Sequence, residues 1–242
     1  MALHFLTPSC TDARVGDVVT LTGAEAKHAA VVRRVRVGEN VTVGDGEGVW
    51  LEGVAEDVSA TEVRVRITER REQELPAVRL LLAQALAKGD RDELAVQAAC
   101  ELGIDGIVPW QAARSISRWE GAKAAKGRER WATIVREAAK QAHRSWVPPV
   151  EDVQNTAALV ARAATERVLV LDPTAEARLS AVRPDERSIL LVVGPEGGIT
   201  PDELQKLEQA GAERVRLGAT VLRTSTAGPA AIAVLSGILD RW

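Results

Sequence analysis

The stretch Ile189-Leu-Leu-Val-Val-Gly-Pro-Glu-Gly-Gly-Ile-Thr-Pro-Asp-Glu203 joins an apolar strand, a glycine-rich loop and the start of a helix. Its first five residues have the β-branched and leucine-rich content of a buried parallel strand. Thr200 precedes a proline at the first helical position and stands three residues before Glu203, a pattern typical of a helix start. This strand, loop and helix predict an α/β domain with a parallel sheet.

The loop between this strand and helix predicts a ligand site. Loops at the carboxyl ends of parallel strands face the crevice where α/β sheets bind ligands, and glycine lets the backbone approach a ligand closely. The sequence has neither G-x-G-x-x-G nor G-x-x-x-x-G-K-[ST], and Pro195 removes an amide that a phosphate cradle would use. The alternative is a tight turn that needs a positive φ at Gly197 or Gly198.

The same alternation of apolar strands and amphipathic helices extends on both sides of this stretch, from Val78 to the C-terminus. The predicted strands cover residues 78–85, 104–109, 168–171, 189–193 and 214–217. The predicted helices cover residues 90–102, 131–144 and 227–239, and a further helix begins at Thr200. Asp90 is expected to cap the first helix, and Gly103 to end it in a left-handed conformation.

Residues 1–73 are of a different class, with short strands and turns. The predicted strands are residues 18–21, 40–44, 49–56 and 62–69. Thr22-Gly-Ala-Glu25 has capping-box form before a helix to Arg34, and Gly44-Asp-Gly-Glu-Gly48 predicts a hairpin. A charged run ending in Pro76 indicates a boundary, so we expect a small β domain over 1–73 and an α/β domain over 74–242.

Composition excludes several classes of protein. The 242 residues are 46% hydrophobic with a formal net charge of -3, which favours a folded chain and gives no overall basic character. Cys10 and Cys100 form no C-x-x-C motif, and the three histidines lack metal-ligand spacing, so no metal is expected. The start resembles no signal peptide, and no window is apolar enough to span a membrane, which predicts a cytoplasmic protein.

Two local basic runs and one hydroxyl cluster have alternative interpretations. Lys27, Arg33 and Arg34 crowd the N-terminal helix, and Arg114 and Arg118 begin a second run. Such runs can bind phosphate, or they can be solvated faces. The hydroxyls of residues 224–226 favour helix capping over nucleophilic chemistry, because no histidine lies nearby in sequence.

Together these residues resemble the RsmE family of the SPOUT, or trefoil-knot, methyltransferases, over nearly the whole chain. The motifs that carry the resemblance are Lys88-Gly-Asp-Arg91, Val96-Gln97, Glu101-Leu-Gly103, Ile107-Val-Pro109, Arg114-Ser115, Trp131, Glu137-x-x-x-Gln141-x-x-Arg144, Val147-Pro148, Gly194-Pro-Glu-Gly-Gly198, Leu217-Gly218 and Val221-Leu-Arg-Thr224. The chain departs from the common family pattern at Ala113, His143 and Ser225.

The resemblance implies a PUA-like RNA-binding β-barrel at the N-terminus and a SPOUT α/β domain with a deep trefoil knot. It also implies that the knot loops hold S-adenosylmethionine, mainly through backbone groups. The cofactor-binding residues implied are Leu171, Gly194, Glu196, Gly197, Gly198, Ile199, Leu217, Gly218, Leu222, Thr224 and Ala227. Gly197 is expected to stand against the cofactor.

The implied reaction is methylation of N3 of a uridine in 16S ribosomal RNA, uridine 1498 in the family. Arg114, Glu137 and Arg144 are the candidate catalytic residues, with a surface ion-pair ladder as the alternative. Further expectations are a homodimer, 16S ribosomal RNA or the small ribosomal subunit as partner, and RNA binding by Lys27, Arg33, Arg34, Arg114 and Arg118. The competing functions are methylation of another RNA and a non-catalytic RNA-binding role in ribosome assembly.

Overall fold

A computed structural model describes residues 3–242, so the first two positions of the predicted N-terminal domain lie outside the described residues. The chain forms two compact units. The first contains the chain up to Leu75 together with Ala139–Val147, and the second contains Pro76–Ala138 and Pro148–Trp242. The segment Ala139–Val147, which we call the return segment, is absent from the contiguous domain predicted over residues 1–73.

The first unit is built on a five-stranded sheet. Its strands are β1 (Leu3–Leu6), β2 (Val18–Thr22), β3 (Asn40–Gly44), β4 (Val49–Val58) and β5 (Glu62–Glu72). They are ordered β1-β3-β4-β5-β2, with β1 parallel to β3 and the other neighbours antiparallel. Alternate residues of β4 and β5 are buried, because successive side chains of a strand point to opposite faces. The four predicted strands are confirmed.

The hairpin between β3 and β4 forms where it was predicted. Oδ1 of Asp45 accepts hydrogen bonds from the backbone amides of Glu47 at 2.7 Å and Val49 at 3.1 Å. Gly46 and Gly48 adopt φ values of 80° and 110°, a region that favours glycine. The Asp45 carboxylate therefore satisfies two backbone donors of the hairpin, while the Gly48 amide donates to the carbonyl of Ser145 at 3.1 Å.

The predicted capping box at Thr22 is wrong. Helix α1 (Gly23–Lys27) does begin there and continues as a π-helical turn over His28–Val32, but the Thr22 side chain makes no cap hydrogen bond. The Glu25 carboxylate instead accepts from the Leu6 amide at 3.3 Å and from Nζ of Lys140 at 2.8 Å. A buried ammonium group attracts this carboxylate away from the helix end.

The second unit is the predicted parallel α/β domain. Its strands are β6 (Leu80–Ala85), β7 (Gly106–Trp110), β8 (Arg167–Leu171), β9 (Ile189–Val193) and β10 (Glu213–Val215). They are ordered β10-β8-β9-β6-β7, and every neighbouring pair is parallel. All residues of β6, β7 and β9 are buried, as expected for strands covered on both faces.

The helices that accompany this sheet are α2 (Arg91–Glu101), α3 (Ala122–Gln141), α4 (Thr156–Arg162), α5 (Pro201–Gln209) and α6 (Thr224–Ile238). Helix α4 was not predicted, and α3 begins nine residues before its predicted start. Gly103 ends α2 with φ 91°, as predicted. Asp90 stands at the start of α2 without capping it through its side chain. Among the helices formed by residues 3–242, none combines the length and apolar character that crossing a membrane requires.

Candidate functional site

Loops that follow three neighbouring strands of the second unit surround one cavity. The loops begin at the carboxyl ends of β8, β9 and β10, which meet at the same edge of the parallel sheet. The cavity has a volume of about 560 Å³, within the range of small-molecule sites. Its position is the one predicted for the glycine-rich loop.

Most of the cofactor-binding residues implied by the resemblance line this cavity. They are Leu171, Gly194, Glu196, Gly198, Ile199, Leu217, Gly218, Leu222, Thr224 and Ala227. Gly197 does not line it. A Cβ added to Gly197 would meet Cβ of Arg114 at 3.2 Å, so this glycine allows close packing against an arginine. The positive φ of 72° belongs to Gly198.

A buried hydrogen-bond chain joins β6 to the loop after β9. Gln84 is fully buried at the end of β6, and its Nε2 donates to Oγ1 of Thr224 at 2.9 Å. The Thr224 hydroxyl donates in turn to the carbonyl of Gly194 at 2.9 Å. Thr224 therefore connects the strand to the loop and does not cap α6, whose N-cap residue is Arg223. Gln84 was not identified from the sequence.

The carboxylate of Glu196 fixes the glycine-rich loop to the segment before α2. Its Oε1 accepts from the backbone amide of Lys88 and from Nη1 of Arg91, both at 3.1 Å. These partners belong to the Lys88-Gly-Asp-Arg91 motif, for which the sequence analysis assigned no contact. The pairing explains why an acidic residue lies within a loop of glycines.

The loop after β8 is held by the buried carboxylate of Asp172, which lines the cavity. Its Oδ1 accepts from the amide and the hydroxyl of Thr174 at 2.8 Å, and its Oδ2 accepts from Nε of Arg214 at 2.8 Å. Burial alone raises the pKa of this carboxyl, but the hydrogen bonds and the guanidinium outweigh burial and hold the pKa below its usual value. Asp172 is therefore a carboxylate at neutral pH.

The start of α5 has the predicted capping box and a second role. Thr200 and Glu203 exchange the reciprocal hydrogen bonds of this motif. Glu203 is also buried and accepts from the Ala113 amide and the Thr156 hydroxyl, both at 2.8 Å. Burial raises the pKa of the Glu203 carboxyl, but the hydrogen bonds that it accepts outweigh burial and hold the pKa below its usual value. Glu203 thereby anchors the segment that carries Arg114.

The structure gives the candidate catalytic residues different surroundings. Arg114 is exposed, and its Nη1 donates to the carbonyl of Gly197 at 2.9 Å. Glu137 lies on α3 in the second unit, whereas Arg144 belongs to the return segment in the first unit. Through this contact Arg114 is joined to the glycine-rich loop beside the cavity.

The candidate RNA-binding residues are all exposed. Lys27, Arg33 and Arg34 lie on or just after the α1 segment of the first unit, and Arg118 donates to the carbonyl of Ala113 at 3.3 Å in the second unit. Residues 3–242 contain no cluster of three or more histidine, cysteine, aspartate or glutamate side chains arranged to hold a metal ion.

The family models that match this chain define its class. A model described as an RNA methyltransferase domain matches residues 73–236, and one described as an RNA methyltransferase PUA domain matches residues 21–68. The chain is therefore an RNA methyltransferase with an N-terminal PUA domain.

Curated relatives narrow the class to one family. The Ribosomal RNA small subunit methyltransferase E of Mycobacterium bovis is 44% identical over 100% of this chain and 94% of its own length. The protein of the same name from Bacillus subtilis is 33% identical over 90% of this chain and 89% of its length. The chain belongs to the ribosomal RNA small subunit methyltransferase E family.

Solved structures agree with this membership. The Neisseria gonorrhoeae Ribosomal RNA small subunit methyltransferase E bound to S-adenosyl methionine aligns with a TM-score of 0.88, 31% identity and 98% coverage of both chains. A putative methyltransferase from Legionella pneumophila in complex with SAM aligns with a TM-score of 0.87, 28% identity and 98% coverage of both chains.

Proposed function

We propose that this chain transfers the methyl group of S-adenosylmethionine to N3 of a uridine in 16S ribosomal RNA, at the position equivalent to uridine 1498. Family membership supports the RNA substrate, and the cavity at the carboxyl edge of β8, β9 and β10 supports the cofactor. The small subunit is the proposed partner. Because the small subunit is a cytoplasmic particle, the proposed reaction takes place in the cytoplasm.

The cavity suits a cofactor that carries no phosphate. Gly194 and Gly198 bring backbone to its surface, while Pro195 lacks an amide and Glu196 already accepts two hydrogen bonds. Oε1 of Gln84, beneath the loop, is buried and has no hydrogen-bond partner within residues 3–242. We also propose that the three loops form the trefoil knot of the SPOUT fold, with backbone groups holding a bent cofactor.

Arg114 is the residue proposed to act on the base. When bound, the cofactor would supply an electrophilic methyl group whose bond to sulfur breaks as the bond to N3 forms, with S-adenosylhomocysteine as the leaving group. N3 of uracil becomes nucleophilic when its proton is lost to solvent. A permanent cation stabilises the charge that then spreads to the neighbouring carbonyl oxygens. Arg114 uses Nη1 on the glycine-rich loop, which keeps its guanidinium beside the cavity. Because N3 lies on the Watson–Crick edge, the uridine must be unpaired before transfer.

The remaining roles are those that the family resemblance implies. Glu137 and Arg144 are proposed to orient the substrate, and a homodimer is the proposed assembly. The exposed cations Lys27, Arg33, Arg34 and Arg118 are proposed to bind RNA phosphates, which would make RNA affinity fall as salt rises.

The deciding experiment is in vitro methylation of small ribosomal subunits from a strain that lacks this methyl mark, followed by mass spectrometry of the nucleosides. We expect N3-methyluridine with the wild-type protein and at least about a hundredfold lower rate with Arg114→Gln, because an electrostatic contact made in the transition state is worth a factor of this size. SAM affinity of this variant is the matched control, expected to stay unchanged.

Two other results would replace the proposal. Methylation of a different nucleotide or a different RNA would assign another substrate. SAM binding without methylation of subunits, precursor subunits or free 16S ribosomal RNA would favour a non-catalytic role in ribosome assembly.

A further inference from the structure

Arg216 is an arginine of the cavity whose side chain has a buried nitrogen without a hydrogen-bond partner among the described residues. Arg216 directly follows β10 and is half-buried, and it lines the cavity. Its backbone is fixed, because its amide donates to the carbonyl of Ala177 at 2.9 Å and its carbonyl accepts from the amide of Leu179 at 2.9 Å. These backbone hydrogen bonds therefore fix the position from which the Arg216 side chain extends.

One nitrogen of the Arg216 guanidinium is a buried donor without an acceptor among the described residues. This nitrogen is Nε, which has no hydrogen-bond partner within residues 3–242. The two carboxylates that line the same cavity are already engaged, Asp172 with Arg214 and Glu196 with Arg91. Arg216 is thus a buried donor in a cavity whose own anions are paired with other arginines.

An unsatisfied buried donor on a charged group is costly, and native proteins rarely retain one without a partner. An anionic ligand group in the cavity would supply the missing acceptor. The fork formed by Nε and one Nη matches the two oxygens of a carboxylate. The proposed cofactor has a single anionic group, the α-carboxylate of its methionine part.

We propose that Arg216 binds the α-carboxylate of S-adenosylmethionine. This inference rests on the proposed function. An RNA phosphate is the other possible source of an anion, but phosphates stay on the polynucleotide backbone outside the cavity, whereas Nε of Arg216 is shielded from solvent. Arg216 itself lines the cavity, which places its side chain beside a ligand bound there.

The test compares SAM with decarboxylated SAM, which lacks only the carboxylate, by calorimetric titration. The variants are Arg216→Gln, Arg216→Lys and Arg178→Gln. Arg178 is the matched control, because it pairs with Arg216 in a short parallel bridge but is exposed and does not line the cavity. Thermal unfolding of each variant shows that it is folded.

We expect Arg216→Gln to weaken SAM binding about tenfold to a hundredfold, the worth of a charge-assisted hydrogen bond, and to leave affinity for decarboxylated SAM unchanged. Wild-type protein should bind decarboxylated SAM more weakly than SAM by the same factor. Arg216→Lys should restore part of the loss, and Arg178→Gln should bind both ligands as wild type does.

Three outcomes would overturn the inference. Equal weakening of both ligands by Arg216→Gln would give the arginine a structural role. Unchanged SAM affinity with weaker RNA binding would identify an RNA phosphate as the anion. Equal affinity of wild-type protein for both ligands would show that the carboxylate makes no contact that matters for binding, and would leave the proposed function intact. Wild-type protein that binds neither ligand would contradict the proposed function itself.

Discussion

Two glycine-rich turns in this chain look alike in sequence and differ in structure. The turn at 44–48 is closed, since Asp45 accepts from the amides of Glu47 and Val49, and the added Cβ of Gly48 would lie 2.6 Å from the carbonyl oxygen of Gln73. The turn at 194–198 has one internal hydrogen bond, from the Gly198 amide to the carbonyl of Pro195, and faces a cavity.

The difference lies in where the backbone and carboxylate groups find their partners. In the first turn the acidic residue bonds to amides within its own hairpin, and the glycines make room for packed neighbours. In the second turn Glu196 bonds outward to the Lys88-Gly-Asp-Arg91 segment, and the loop presents its backbone to the cavity. Glycine content indicates close approach, and the partners of the acidic residue distinguish a packed turn from a binding loop.

The largest effect should come from the closed turn. Gly48→Ala combines a φ of 110° with a Cβ placed 2.6 Å from the backbone carbonyl of Gln73. We expect a loss of about 3 kcal/mol or more in the stability of the first unit, because backbone must move. Hydrogen exchange of the β3 and β4 amides measures it.

Gly16→Ala is the matched control for this variant. Gly16 has a φ of 93° with nothing within 4 Å of an added Cβ, so it tests strain without a clash and should cost about 1 kcal/mol. Equal losses at both positions would mean that strain alone explains the cost at Gly48.

An intermediate effect is expected beneath the open loop. Thr224→Val keeps the shape of the side chain and removes the hydroxyl that joins Gln84 to the carbonyl of Gly194. We expect a stability loss of about 1–3 kcal/mol, the cost of leaving buried polar groups unpaired, together with weaker SAM binding. Urea unfolding and cofactor titration measure the two effects.

Thr226→Val, two residues further along α6, is the control for the hydroxyl. Thr226 is exposed and donates only to the carbonyl of Arg223, so its replacement should change stability by less than about 0.5 kcal/mol. SAM affinity that survives Thr224→Val would show that the open loop needs no anchor from β6.

The smallest effect tests the open loop itself. Gly198→Ala introduces strain at a φ of 72°, but the nearest atom to the new Cβ is a guanidinium nitrogen of Arg114 at 4.0 Å. We expect a loss of about 1 kcal/mol from strain alone. Gly218→Ala, with no positive φ and open space, should cost almost nothing in the same thermal unfolding experiment. A loss of stability at Gly198 as large as that at Gly48 would show that the two turns do not differ in how closely their glycines are packed.

Local patterns predicted much of the fold. The alternation of β4 and β5, the apolar run of β9 and the proline after Thr200 each express a preference within a few neighbouring residues. Strand β1 and helix α4 were missed because they have only four and seven residues, too few to show a period. The strand order of the parallel sheet depends on contacts between distant segments.

The sequence predicted which loops form the site, but it did not predict which side chains bond to one another there. Glycine and proline identified the loop after β9, and the resemblance supplied the loops after β8 and β10. Gln84 was missed because it reads as part of a strand end. The contacts of Gln84 and Asp172 depend on Thr224 and Arg214, which lie far along the chain. The Thr22 capping box failed for the same reason, since Lys140 pairs with Glu25.

The return segment sets the order in which this protein can be completed during synthesis. The β-sheet unit is mostly encoded before residue 76, yet Glu25 receives Lys140, and Gly48 and Gln73 receive Trp146, only after the polypeptide has grown to Val147. By then β6, α2, β7 and α3 have already been synthesised. The N-terminal unit therefore matures alongside the unit that follows it, and a fragment cut at Leu75 would emerge with its ion pair and its hairpin packing unfinished.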